Sequence, residues 1–113
     1  METYDVNAFT RMLFETLDKR IMNLSPTVKK EYKKLYVAYK LDTNFVDIVF
    51  QKQRLRISVN MKFSEINDPN GICKDITDLG RWGNGDVELF MEHQDELDQI
   101  MEIVKQSFDA QAE

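Results

Sequence analysis

The sequence predicts a two-layer α+β domain in which an antiparallel sheet of four to five strands carries the N- and C-terminal helices on one face. Three observations lead to this fold class. Apolar residues recur at helical spacing at both ends of the chain, the middle alternates between apolar and polar residues, and short polar turns separate the alternating segments. Two amphipathic helices need an apolar surface to cover, and one face of the sheet supplies it.

A helix is predicted over residues 5–23. Its apolar positions are spaced by three and four residues and comprise Val6, Phe9, Leu13, Leu17, Ile21 and Leu24. Asp5 is the expected N-cap, because a carboxylate accepts hydrogen bonds from the free N–H groups of a first turn. Ser25 and Pro26 end the helix. The lysine-rich run over residues 29–34 is predicted to be a solvated turn of helix.

Three strands follow as an antiparallel meander over residues 35–41, 45–50 and 54–60. The first two are rich in β-branched and aromatic residues, which favour strands. In the third, Leu55, Ile57 and Val59 alternate with polar side chains, so one face of the sheet is expected to be covered and the other solvated.

The last part of the chain is predicted to hold a turn, an edge strand, a final strand and a helix. Residues 67–71, with one proline and one glycine, are typical of a turn, and residues 72–77 are interpreted as a short edge strand. The final strand covers residues 86–91. A helix with apolar residues at 97, 100, 101, 104 and 108 follows, with His93 as its cap and Glu96 as the capping-box acid. Residues 110–113 are expected to be a frayed tail.

Length and composition limit the class of protein. With 113 residues, 42 % of them hydrophobic, the chain is predicted to form a single domain over residues 1–113. It has no apolar run long enough to span a bilayer and no signal-peptide pattern at its start, so no membrane association is expected. A lone cysteine, Cys73, excludes an internal disulfide and predicts a reducing compartment, the cytoplasm.

Charge is unevenly distributed along the chain. The net charge is −5, which disfavours gripping nucleic acid through overall charge. Residues 29–62 are nevertheless basic, whereas the last third is acidic. The sequence thus leaves open one basic and one acidic surface, or a mixed solvated one.

The chain lacks the residue patterns of common enzymes. His93 is the only histidine and Cys73 the only thiol, so neither a metal-ligand set nor a nucleophile with a conventional base is visible. We expect no catalytic residues, no metal and no cofactor. Carboxylates are plentiful, so a small hydrolase that uses paired acids stays open as the least favoured alternative.

Two groups of residues are candidates for binding. The uncovered face of the sheet is expected to show Tyr39, Asp47, Arg54 and Arg56, since arginines beside aromatic rings can pair with phosphates and stack on bases. Tyr36 and Phe45 are further aromatic candidates for this face. The second group lies in the glycine-rich stretch of residues 78–86 and consists of Arg81, Trp82, Asn84 and Asp86. The alternatives are a plain solvated face and a tryptophan that anchors the core.

Several runs of residues also resemble a known family. Residues 35–40, 44–47 and 54–56, Asp68-Pro69 and above all Trp82-Gly83-Asn84-Gly85-Asp86 are similar to a bacterial domain of unknown function, over residues 10–108. That family is sometimes labelled "predicted transport protein" and also stands at the C-terminal end of larger proteins that look like modification-dependent restriction systems. Arg81 departs from the family, whose close relatives have histidine before the tryptophan.

The resemblance implies an accessory or recognition module, because in such larger proteins other modules carry the nuclease and nucleotide chemistry. We therefore expect a non-enzymatic binding domain whose partner is a nucleic acid or another ligand. The alternative is a protein-interaction domain, including one that forms a homodimer through the sheet face or an edge strand.

Overall fold

The computed structural model describes residues 7–77 and 85–112 and has the expected two-layer α+β architecture. Two long helices lie on one face of an antiparallel sheet. Within the described residues the sheet has six strands in the order β1-β2-β3-β4-β6-β5, and all neighbouring pairs are antiparallel.

Helix α1 spans Ala8–Met22. Asn7 is its N-cap, with the side-chain oxygen accepting from the N–H of Thr10 at 2.9 Å. The predicted cap, Asp5, lies outside the described residues, and the cap assignment to it is wrong because Asn7 fills that position. The buried face of α1 consists of Thr10, Leu13, Phe14, Leu17 and Ile21.

Strands β1 to β4 span Lys29–Tyr32, Val37–Lys40, Asn44–Phe50 and Leu55–Val59. The last three confirm the predicted meander. Strand β1 corrects the prediction of a helical turn and brings the sheet to six strands instead of four to five. The sequence of β1 lacks the apolar–polar alternation that predicts a strand. An edge strand can carry charged side chains instead, because it is less covered than a central one.

Strand β5, Lys74–Asp75, is the edge strand predicted within residues 72–77, and β6 spans Val87–Met91. The turn before β5 is held by Asp68, whose carboxylate accepts from the N–H groups of Ile72 and Cys73 at 3.0 and 2.9 Å. Strand β6 lies between β4 and β5. After β4 the chain therefore forms the edge strand β5, and β6 then pairs with both β4 and β5.

Gly85 stands where the chain enters β6 and requires glycine. Its φ is +89°, and a Cβ built on it would lie 2.1 Å from the carbonyl oxygen of Val59. Gly71 also has a positive φ, +65°, but nothing lies near its added Cβ. The two glycines thus differ in packing while sharing the left-handed conformation.

Helix α2 spans Leu97–Ala112 and follows a short 3-10 turn at Gln94–Glu96. The Glu96 carboxylate accepts from the N–H of His93 at 3.0 Å, which confirms the predicted role of this pair at the helix start. The predicted frayed tail is wrong up to Ala112, because Gln111 donates to the carbonyl of Asn44 at 2.9 Å and holds the last turn on the sheet.

The core fills the space between the helices and one face of the sheet. On that face the cross-strand neighbours are apolar: Val46 faces Val59, Ile48 faces Ile57, and Leu55 faces both Phe50 and Met91. The Phe14 ring of α1 packs 4.9 Å from Phe50. We call the opposite surface, formed by the alternate residues of the same strands, the polar face.

Candidate binding face of the sheet

The polar face is organised as a cross-strand row. Each residue of this row lies directly opposite the next on the neighbouring strand: Glu31, Ala38, Asp47, Ser58, Glu88 and Lys74. Successive side chains along each strand point to opposite faces of the sheet. The apolar side chains therefore lie on the helix side, and the polar ones lie on the polar face.

The two central carboxylates of the row are buried. Asp47 and Glu88 are only 2 % and 1 % exposed. The Asp47 carboxylate accepts from the side-chain amide of Asn44 at 3.1 Å, and Glu88 lies 3.8 Å from the guanidinium of Arg56. The structure places Asp47 on the predicted face, but its predicted exposure to solvent there is wrong, because the side chain is buried. Because the carboxylate is buried, it offers little of itself to a ligand.

A cluster of cations surrounds Phe90 at the end of the polar face near β5. The guanidinium carbon of Arg54 lies 3.8 Å from the centre of the Phe90 ring, and the Lys74 ammonium lies 5.9 Å from it. Arg56 is the direct cross-strand neighbour of Phe90. We call Arg54, Arg56, Lys74 and Phe90 the Phe90 cluster.

The Arg54 guanidinium is both oriented and accessible. Its Nε donates to the side-chain oxygen of Gln51 at 2.7 Å, and one of its terminal nitrogens lies 3.8 Å from the Glu92 carboxylate. Its side chain remains 40 % exposed. A stacked, hydrogen-bonded arginine loses less conformational freedom on binding a ligand than a free one does.

Tyr39 does not belong to this surface, and its predicted place there is wrong. Its ring is fully buried on the helix side, and its hydroxyl donates to Asp18 of α1 at 2.6 Å. Phe45 is also buried and packs 5.4 Å from Phe108 of α2. Tyr39 is on the helix side because it shares a face with Val37 along β2 and lies opposite Val46 of β3. Phe45 is an extra residue in the register, since Tyr39 faces Val46 whereas Lys40 faces Asn44, and it therefore escapes the alternation.

The Asp18 carboxylate joins three elements. Besides the Tyr39 hydroxyl, it accepts two bonds from the Lys30 ammonium of β1, at 3.0 and 3.2 Å. Burial and the bond to Asp18 raise the pKa of Tyr39 well above its usual range. Burial alone would lower the pKa of Lys30, but its bonds to Asp18 and Tyr32 raise it overall. Sequence reasoning missed this group, since Asp18 carries no signal beyond an acid within a helix.

The second group of candidates lies mostly outside the described residues. Arg81, Trp82 and Asn84 fall within residues 78–84, for which no structure is described. Asp86 is half-buried, and its backbone ties two segments together: its carbonyl accepts from the N–H of Ile76 at 2.9 Å and its N–H donates to the carbonyl of Met61 at 3.2 Å. The side-chain role predicted for Asp86 stays a prediction.

Lys74 is a member of the Phe90 cluster that sequence reasoning missed. It lies on a strand of two residues, and only the register of β5 with β6 brings it opposite Glu88 and next to Phe90. The sequence predicted an edge strand over residues 72–77, but it did not predict that this strand pairs with β6.

The thiol and the imidazole lie apart from this face. Burial and the nearby Asp68 carboxylate raise the pKa of Cys73 to about 12, so the thiol is protonated at neutral pH. His93 is exposed at the start of the 3-10 turn. Within residues 7–77 and 85–112, no cluster of three His, Cys, Asp or Glu residues could hold a metal ion. None of the described helices has the length and hydropathy to cross a membrane.

The fold and this surface define a small α+β domain with one helix-covered sheet face and one polar sheet face that carries a cation-rich aromatic cluster. The chain belongs to the family described as "Domain of unknown function (DUF5655)", whose model matches residues 2–111.

A protein of Haemophilus influenzae, described as an uncharacterized protein, is 37 % identical over 103 residues. The match covers 91 % of this chain but 34 % of that relative, so the chain spans about a third of the relative's length. No solved structure matches the chain.

Proposed function

We propose that this domain is a non-enzymatic accessory module that recognises nucleic acid through the Phe90 cluster on the polar face. The observation that carries the proposal is the Arg54 guanidinium stacked 3.8 Å from the Phe90 ring, with Lys74 close to the same ring on the neighbouring strand.

The chemistry of the cluster suits a single strand. A guanidinium plane supported by a phenyl ring offers a flat cationic surface on which an unpaired base can stack. Lys74 and Arg56 flank that surface and can contact phosphates, the lysine as a mobile point charge and the arginine through its planar fork. A double helix hides its base faces, so we expect preference for single strands.

The charge of the whole domain sets the strength of this interaction. The chain carries a net charge of −5, so attraction is confined to the few cations of the cluster, and affinity is weak and falls with salt. Such weak binding suits a module that acts within a larger protein. The relative from Haemophilus influenzae is about three times longer than the matched segment, which supports an accessory role beside other domains. A bacterial restriction or defence system is the context that we propose.

The protonated Cys73 thiol supports a module without nucleophilic catalysis. The buried state of Asp47 and Glu88 likewise argues against a pair of carboxylates that would reach a substrate from this face. We therefore propose binding without turnover.

The test is binding of fluorescein-labelled single-stranded DNA and RNA at low salt, measured by anisotropy. Arg54→Ala combined with Lys74→Ala should weaken binding about tenfold or more, since each loses a stacking or phosphate contact. Lys19→Ala combined with Lys105→Ala removes the same charge from the exposed helix surface and is the matched control. Arg56 is left in place because it lies beside the buried Glu88.

Three results would refute the proposal. They are the absence of single-strand binding at low salt, equal loss of binding in both double variants, and hydrolysis of the oligonucleotide by the pure protein. A dimer mass that the Arg54 and Lys74 substitutions abolish would instead assign the polar face to self-association.

A further inference from the structure

We propose that the free edge of β1 is a docking site for an extended acidic peptide of a partner protein, which adds to the sheet as a further strand. Among the described strands β1 is paired on one side only, by β2. This site is separate from the Phe90 cluster, because β1 lies at the opposite edge of the sheet from β5.

The backbone of β1 offers hydrogen-bonding groups to such a peptide. The N–H of Lys33 donates to the carbonyl of Tyr36 at 2.8 Å, and hydrogen-bonded pairs alternate along an antiparallel ladder. With the observed register, Glu31 and Lys29 therefore turn their backbone groups toward β2. The N–H and C=O groups of Lys30 and Tyr32 point away from the sheet, where an added strand can pair with them.

The charge of this edge selects an acidic partner. Residues 29–34 contain four lysines and one glutamate, in a chain whose net charge is −5. The Glu31 carboxylate lies 3.3 and 3.4 Å from the ammonium groups of Lys33 and Lys40, which lower its pKa and offset its charge. The edge thus presents positive charge against the overall sign of the chain.

Apolar surface lies beside the same edge. Tyr32 and Leu35 are 48 % and 61 % exposed. The Tyr32 side chain is on the helix side of the strand, with the Lys30 ammonium 5.4 Å from its ring centre. Lys29 and Lys33 lie on the polar face by alternation.

These positions define a five-residue pattern for the peptide. Acids are expected opposite Lys29 and Lys33, β-branched residues opposite Lys30 and Tyr32, and a small polar residue opposite Glu31. The pattern reads acid, apolar, small polar, apolar, acid. A second copy of β1 fits poorly, since it would bring four more lysines to the edge, and lysines on an edge strand oppose pairing between copies.

The experiment uses a labelled peptide whose centre reads glutamate, valine, serine, valine, glutamate. Its anisotropy should rise with the domain, and the backbone amides of Lys30 and Tyr32 should gain protection from hydrogen exchange. A peptide with lysine in place of both glutamates, and one with proline in place of the serine and both valines, should bind about tenfold more weakly or not at all.

Two variants of the domain locate the site. Tyr32→Pro removes an outward N–H and the exposed ring while leaving the bonds to β2, and Lys29→Ala with Lys33→Ala removes the two cations opposite the acids of the peptide. Each should weaken peptide binding about fivefold or more, whereas Lys19→Ala with Lys105→Ala should not. Arg54→Ala with Lys74→Ala should leave peptide binding intact, which separates this proposal from nucleic-acid binding at the Phe90 cluster.

The proposal is overturned by any of four outcomes. The acidic peptide fails to bind the folded wild-type domain, which would leave the lysines as protection against edge pairing. It binds without protecting the amides of Lys30 and Tyr32. A single-stranded oligonucleotide displaces it at equal charge, which would make the edge a general anion surface. The protein forms a dimer that Tyr32→Pro abolishes, which would make a second copy the occupant.

Discussion

Replacing Asp18 with alanine removes the carboxylate that joins α1 to two strands of the sheet. The buried Tyr39 hydroxyl then loses its acceptor, 2.6 Å away, and the Lys30 ammonium loses both of its bonds. An unsatisfied buried hydroxyl costs about 1–3 kcal/mol, and hydrogen bonds to a charged group add about 1.5–3 kcal/mol. Because Lys30 can turn toward water, we expect a total loss of about 2–4 kcal/mol in the free energy of unfolding.

Asp98→Ala is the matched control for this change. Asp98 also accepts from a cation at 3.0 Å, the Arg20 guanidinium, but its side chain is 90 % exposed. Exposed pairs of this kind contribute less than about 1 kcal/mol, so the two variants should differ clearly. The residue type and the shortest distance to the cation are the same, so the contrast measures burial together with the additional bond to the Tyr39 hydroxyl.

Urea denaturation at pH 7, followed by circular dichroism, measures both variants. Tyr39→Phe with Asp18→Ala completes a double-mutant cycle, in which we expect coupling of about 1 kcal/mol or more. The reasoning is refuted if Asp18→Ala costs no more than Asp98→Ala. It is refuted equally if the cycle shows no coupling, because the short bond between the hydroxyl and the carboxylate would then contribute nothing.

Three further outcomes are expected. Gly85→Ala should lower the free energy of unfolding by about 3 kcal/mol or more, or prevent folding, because its Cβ would collide with the backbone at Val59. Gly71→Ala should lower it by about 1 kcal/mol, because only its positive φ opposes a side chain there. Melting temperatures of the two variants measure the difference. Asp68→Ala should lower the free energy of unfolding by about 1–3 kcal/mol, because two backbone N–H groups lose their acceptor. Urea denaturation of this variant and of Asp68→Asn tests whether an amide oxygen can replace the carboxylate. Above pH 10 an unfolded tyrosine ionises, but the buried Tyr39 stays protonated in the folded protein. The free energy of unfolding should therefore fall by up to about 1.4 kcal/mol per pH unit. An equally steep fall in the Tyr39→Phe variant would contradict this prediction.

The meander and both helices could be predicted from sequence because each buries one face. Leu55, Ile57 and Val59 alternate without interruption, and the structure places all three in the core. Strand β1 could not be predicted in this way, since its pairing with β2 depends on backbone bonds that leave no apolar pattern in Lys29–Tyr32.

The candidate site was predictable only in part. Arg54 and Arg56 follow from simple alternation, and they lie on the expected face. Tyr39 falls on the helix side because it alternates with Ala38 and Lys40 along its own strand, whereas Phe45 falls there as an extra residue in the register, which no local pattern marks. Lys74 depends on a contact between strands distant in sequence order, which no local pattern encodes.

The order of the strands also matters while the chain is being made. Strand β5 is synthesised before β6 but pairs only with it, so the far edge of the sheet cannot form until both have left the ribosome. The apolar face of β3 and β4 waits longer still for α2, whose Ser107 hydroxyl donates to the carbonyl of Phe45 at 2.9 Å. At about 5–20 residues per second, the segment from the end of β4 to the end of α2 takes about 3–10 seconds to translate, and the meander stays half-covered for that time. Nascent chains should therefore expose the apolar face of β3 and β4, to which chaperones can bind, until α2 has emerged from the ribosome.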